Sequence, residues 1–129
     1  MKTVISAVLL ALASFALTLA TGCQGGQSVS GYTTLTGGSP QAGKAVIREY
    51  NCGACHVIPG VRDANGQVGP PLTSFGRRTF IAGELPNTPD NLVQWIRVPT
   101  SVEPRTAMPD LGLTEQQARD AAAYLYTLR

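Results

Sequence analysis

Five consecutive residues could carry the chemistry of this chain: Cys52-Gly53-Ala54-Cys55-His56. Thiols three positions apart fall on one face of a helical turn, so both can bond to the arms of one porphyrin. The His56 imidazole follows directly, where it can reach the iron that such thioethers would hold. The pattern therefore reads as an attachment site for haem c. Two other readings use the same residues. A Cys-x-x-Cys pair serves as a redox dithiol in a βαβ setting, and no such setting is visible here. The pair also forms half of a zinc site, but zinc takes about four ligands. The chain has a single His and one further Cys, Cys23.

A sixth-position ligand for the iron follows from composition. The chain has two methionines, Met1 and Met108, and Met1 stands at the head of an export signal. Met108 lies in Arg105-Thr106-Ala107-Met108-Pro109, between prolines and outside any apolar periodic run. That setting separates it from the flexible core-filling methionine that is the ordinary case.

A chain of 129 residues points to one domain. Lys2, the apolar run 4–20 and Thr21-Gly22-Cys23 read as an export signal over residues 1–22. The run is close to the shortest that spans a bilayer, so an uncleaved anchor is the alternative. Leu19-Ala20-Thr21-Gly22-Cys23 resembles a bacterial lipobox, which makes Cys23 the lipidated N-terminus. Ordinary cleavage at the same small residues would instead leave an exported reactive thiol. Lipid on Cys23 would anchor the protein to the membrane, facing the periplasm or cell exterior. From Cys23 onward nine basic residues face eight acidic ones, a net of +1. That balance supplies neither the clustered basic face that nucleic acid requires nor a lysine-rich docking ring.

Residues 23–39 are rich in Gly, Ser, Thr and Gln and read as a flexible tether, averaging about 21–25 Å end to end. Val29, Tyr32 and Leu35 are the residues that would pin it to the domain instead. The domain proper is expected over 40–129. A first helix runs from Pro40 to about Tyr50 and delivers the chain into the Cys-x-x-Cys-His turn. Val68-Gly69-Pro70-Pro71-Leu72 runs extended, which leaves its carbonyls open. Pro70 is the candidate acceptor for the second ring N–H of His56. Phe75 and Phe80 offer aromatic faces to a porphyrin, and Arg77 and Arg78 offer guanidiniums to its propionates. A second helix starts at Pro89, capped by Thr88 or Asn87, and ends near Val98. Its apolar stripe is Leu92, Trp95 and Ile96, with Trp95 packed in a core that is mostly haem. The loop 100–111 carries Met108. A last helix begins at the capping box Thr114-Glu115-Gln116-Gln117 and continues to Leu128. Its small residues permit a tight crossing against the helix that carries Gly43. No strand-like alternation is present, so the fold class is all-α.

The ordered pieces Gly43-Lys44-Ala45, Cys52-Gly53-Ala54-Cys55-His56, Gly69-Pro70-Pro71-Leu72, Phe75-Gly76-Arg77, Pro104-Arg105-Thr106-Ala107-Met108-Pro109 and Ala123-Tyr124-Leu125 resemble class I c-type cytochromes. The resemblance implies a cytochrome c fold, three to five helices wrapped around one covalently bound haem c. It implies thioethers at Cys52 and Cys55, His56 as proximal and Met108 as distal ligand, and the Pro70 carbonyl as acceptor from His56. It also places Arg77 and Thr106 near a propionate, and Gly43 against Tyr124 where the terminal helices cross. Residues 81–96 are most similar to cytochrome c domains fused to subunit II of haem-copper oxidases. The implied function is single-electron transfer in a respiratory chain, with a quinol-oxidising complex as donor and a terminal oxidase as acceptor. The alternatives are a peroxidase-like enzyme, with Arg105 as its distal group, and a gas sensor that releases Met108. Both need a sixth iron position that opens.

Overall fold

A computed structural model of the chain describes residues 27–129, with side chains from residue 31 onward. The expected signal over 1–22 and Cys23 lie outside the described residues. Four α-helices are present among those described: α1 (Gln27–Thr36), α2 (Pro40–Glu49), α3 (Pro89–Arg97) and α4 (Glu115–Thr127). Short 3₁₀ turns occur at Cys52–Ala54, Phe75–Arg77 and Pro99–Ser101. One small feature was not expected, an antiparallel pair of two-residue strands. In it β1 (Phe80–Ile81) faces β2 (Leu85–Pro86), with Ile81 opposite Leu85. The fold is otherwise all-α, as expected.

Local chemistry sets the helix starts. Ser39 caps α2 by accepting from the Ala42 N–H, and Pro40 fills the first helical position, where no donor is missed. Thr88 and Pro89 repeat the device at α3. At α4 the Thr114 hydroxyl accepts from the Gln117 N–H while the Gln117 side chain accepts from Thr114, the reciprocal capping box expected there. The Tyr50 hydroxyl donates to the same Gln117 oxygen at 3.0 Å, which ties the end of α2 to the start of α4.

The crossing of α2 and α4 organises the core. A Cβ built on Gly43 would lie 1.9 Å from the Asp120 carbonyl oxygen, so only glycine lets the two backbones approach this closely. The expected partner was Tyr124. The contact falls instead one turn earlier, on Asp120 and Ala121, while the Tyr124 hydroxyl donates to the Pro59 carbonyl at 2.7 Å. Around the crossing, Val46 and Ile47 of α2 meet Ala118, Ala121, Ala122 and Leu125 of α4, and Leu92, Val93 and Ile96 of α3 join them. All of these are buried. The alanines matter because each larger side chain would push the helices apart.

The expected flexible tether over 23–39 needs correction in the part the structure describes. Residues 27–36 form α1, and it packs on the domain. Tyr32 lies against the core cluster, with the Arg129 guanidinium 5.7 Å above its ring centroid. Thr36 is buried, its hydroxyl donating to the Tyr32 carbonyl at 2.9 Å and accepting from the Gly38 N–H. Arg119 donates to the Thr36 carbonyl at 3.1 Å, Gln116 to the Gly37 carbonyl, and the Ser39 N–H to Asp120 at 2.7 Å. A stretch poor in apolar residues is held by polar contacts from α4 that composition does not reveal. Thr36 sits beside Arg119 and Tyr32 beside Arg129, so α1 runs antiparallel to α4.

Two outcomes are expected. Gly43→Ala forces the α2–α4 crossing open and should cost about 1–3 kcal/mol by urea denaturation of the holoprotein. The second concerns Tyr126, whose hydroxyl donates to Asn87 at 2.9 Å. Burial pushes its phenol up to about 12. An unfolded tyrosine loses its proton near pH 10, so between about pH 10 and 12 the native state holds a proton the unfolded chain has released. Stability should therefore fall as pH rises through that window, and Tyr126→Phe should flatten the fall in urea midpoint.

Candidate haem-binding site

The Cys-x-x-Cys-His turn is built where α2 stops. Asn51 adopts a left-handed conformation (φ 52°), which asparagine tolerates better than most residues. The chain re-enters a tight turn in which the His56 N–H donates to the Cys52 carbonyl at 3.1 Å. Neither Cys52 nor Cys55 forms a disulfide, and both are half-buried. Burial pushes the Cys52 thiol up, and the neighbouring Cys55 adds to this. A redox dithiol needs the reverse, a thiol lowered toward its thiolate, so the structure disfavours that reading. Among the described residues no three His, Cys, Asp or Glu side chains gather to hold a metal ion, which removes the zinc reading there.

The loop that follows folds back over the turn and fixes its histidine. Ile58 N–H donates to Ala64 O, Gly66 N–H to Gly53 O, Gly69 N–H to Cys55 O at 2.8 Å, and Leu72 N–H to Val57 O at 2.8 Å. These bonds carry the prolines alongside the imidazole. The Pro70 carbonyl lies 2.7 Å from His56 Nδ1, the contact expected from the sequence. A carbonyl only accepts, so Nδ1 carries the proton and Nε2 keeps its lone pair for a metal. Gly69 makes this approach possible, since a Cβ there would lie 2.3 Å from His56 Cε1.

The other expected residues are placed less decisively. Met108 is half-buried, and its N–H donates to the Thr106 hydroxyl at 3.1 Å. Thr106 thus orders the methionine's own backbone, a role composition did not point to. Trp95 is half-buried against the core cluster, together with Leu72 and Leu85. Arg77 is exposed. Its neighbour Arg78 instead donates to the Pro71 carbonyl and lies 5.3 Å over the Phe75 ring centroid. From the sequence Asn87 offers only a possible helix cap. Its amide in fact donates to the Phe75 and Arg78 carbonyls at 3.2 and 3.0 Å and accepts from Tyr126. A polar residue just before a Thr-Pro helix start was the only available signal, and it pointed to the cap.

The donor set fits a covalently held haem. Two unpaired thiols, an imidazole with Nε2 available and one thioether are present, beside apolar side chains only partly covered by protein. The Cytochrome c family matches residues 40–129. The chain belongs to the cytochrome c family. Such a domain carries covalently bound haem c, and the helical architecture is that of the family. The chain is 38% identical over 88 residues to a protein of Alkalihalophilus pseudofirmus named cytochrome c oxidase subunit 2. It is 35% identical over 91 residues to the protein of that name from Bacillus sp. (strain PS3). Each alignment covers 67% of this chain and 25% of the relative, so the chain spans about a quarter of their length. The Bacillus subtilis protein is 32% identical over 82 residues, covering 59% of this chain and 23% of its own. No solved structure matches the chain.

Gly69→Ala tests the frame around the imidazole. The added methyl should push the His56 ring off the Pro70 carbonyl. The expected outcome is a second, weaker-field iron population in the spin-resonance spectrum of the ferric holoprotein, absent from the wild type.

Proposed function

We propose that this cytochrome c is a membrane-tethered carrier of single electrons, with His56 and Met108 as axial ligands of one haem. The observation that carries the reading is the contact between the Pro70 carbonyl and His56 Nδ1, which leaves Nε2 for iron. A chain whose only thioether besides Met1 is Met108 then has one evident sixth ligand. The haem supplies a one-electron Fe(III)/Fe(II) couple. Cys52 and Cys55 would hold it through thioethers, Thr106 orders the Met108 backbone, and Trp95 and Leu72 would keep water from its face. Arg77 and Thr106 are the candidates to lie near a propionate, the first with a charge and the second with a hydroxyl. Thioether ligation favours the ferrous state and so raises the potential.

Similarity to oxidase subunit 2 proteins supports a terminal oxidase as electron acceptor; a quinol-oxidising complex is the donor we propose. Cys23 is the proposed lipid attachment point that holds the carrier on the outer side of the membrane. Among the described residues no helix is long and apolar enough to cross a membrane. One observation favours the gas-sensing alternative. The hydrogen bonds given by the Thr106 and Met108 N–H groups in the ligand loop both stay within that loop.

Met108→Ala should lower the reduction potential and let carbon monoxide bind the ferrous protein. An unchanged potential would remove Met108 as ligand. Rapid mixing of reduced protein with a terminal oxidase should give electron transfer at physiological salt, and none would sink the oxidase assignment. The mature N-terminus should carry the mass of a diacylglyceryl group, and Cys23→Ala should release the protein from the membrane fraction.

A further inference from the structure

The family match begins at residue 40, so α1 lies outside it, yet the helix is bound to the domain on several sides. No part of the haem chemistry needs it. We propose that α1 is a strut that holds the haem domain close to the bilayer in one orientation. This rests on lipid at Cys23.

The sequence alone allowed a tether whose 17 residues, 23–39, wander over about 21–25 Å. The structure removes most of that slack. Thr36 is 1% exposed, its carbonyl is held by Arg119, and Tyr32 lies between the core and Arg129. Only residues 24–26 then separate Cys23 from the start of α1. Even fully extended, the chain from Cys23 to Gln27 spans at most about 14 Å. Because α1 runs antiparallel to α4, its first residue lies at the Arg129 end of that helix. That end of the domain therefore faces the lipid. Arg129 adds an exposed cation there, suited to anionic headgroups. A domain held this way cannot swing between distant partners. Its electron donor and acceptor must offer their docking sites near the membrane surface, as membrane-embedded complexes do, and diffuse with it in two dimensions.

The test is polarised absorption of the haem in the lipidated holoprotein, reconstituted into oriented phosphatidylglycerol–phosphatidylethanolamine bilayers. Membrane partition and the N-terminal mass are measured first. A chain that lacks lipid and stays in solution ends the inference together with the anchor assignment. Given a bound, lipidated protein, a strut predicts clear dichroism in the Soret band. Tyr32→Ala with Thr36→Arg, which undocks α1, should bring it to the isotropic value. So should about 15 Gly/Ser residues inserted between Gly26 and Gln27. An isotropic wild type, or dichroism that survives either change, overturns the proposal. Hydrogen exchange gives a second reading that needs no bilayer. Amides of residues 31–36 should exchange on the order of tenfold or more slower than in an unstructured peptide, and random-coil rates would equally overturn it.

Discussion

One hydrogen bond governs the reading of this molecule, that between His56 Nδ1 and the Pro70 carbonyl. It settles which ring nitrogen is protonated, and so which is available to iron. It also explains why the loop after the Cys-x-x-Cys-His turn has its particular composition. Proline at position 70 has no N–H, so its stretch cannot be drawn into a helix or ladder and its carbonyl stays open. Glycine at 69 lets that carbonyl come close without a side chain striking the ring. The bonds from Gly69 to Cys55 and from Leu72 to Val57 then lock the stretch in register with the turn it serves.

The same logic, backbones brought close by missing side chains, runs through the scaffold. Gly43 lets α2 sit against the Asp120 carbonyl, and the alanines of α4 keep that approach open along the helix. Because α4 is so closely engaged on one side, its polar residues are left for other tasks. Arg119, Asp120 and Gln116 all reach back to hold residues 36–39. The helix that closes the family fold thus also binds the segment that precedes it. The Tyr126–Asn87 pair does comparable work at its far end, tying the carbonyls of Phe75 and Arg78 to α4.

Much of this was legible in the residues. Motif spacing singled out the Cys-x-x-Cys-His turn, proline pointed to the carbonyl that lies against His56 Nδ1, and caps at Thr88 and Thr114 placed two helix starts within a residue. Those features are local, and a local pattern determines a local structure. What could not be read depends on contacts between distant segments. Gly43 plainly asked for a close crossing, but whether Asp120 or Tyr124 stands opposite depends on helix register, which one sequence does not fix. Residues 27–36 have the composition of a linker, and their helix is stabilised by Arg119 and Arg129, about ninety residues further on. Arg77 and Arg78 are identical in type, and only the fold shows that Arg78 turns to the Pro71 carbonyl. Met108 was singled out by elimination. The start of its loop is tied to Val98 and Pro99, and the bonds at Thr106 and Met108 stay within the loop.

The most direct measurement of the proposed axial ligation is the absorption spectrum of the reduced, matured wild-type protein with and without carbon monoxide. If His56 and Met108 both hold the iron, the spectrum is low-spin, shows the weak near-infrared band of thioether ligation when oxidised, and does not change with the gas. A clear shift on adding carbon monoxide would mean that the sixth position opens. The electron-carrier account would then give way to a ligand-binding one.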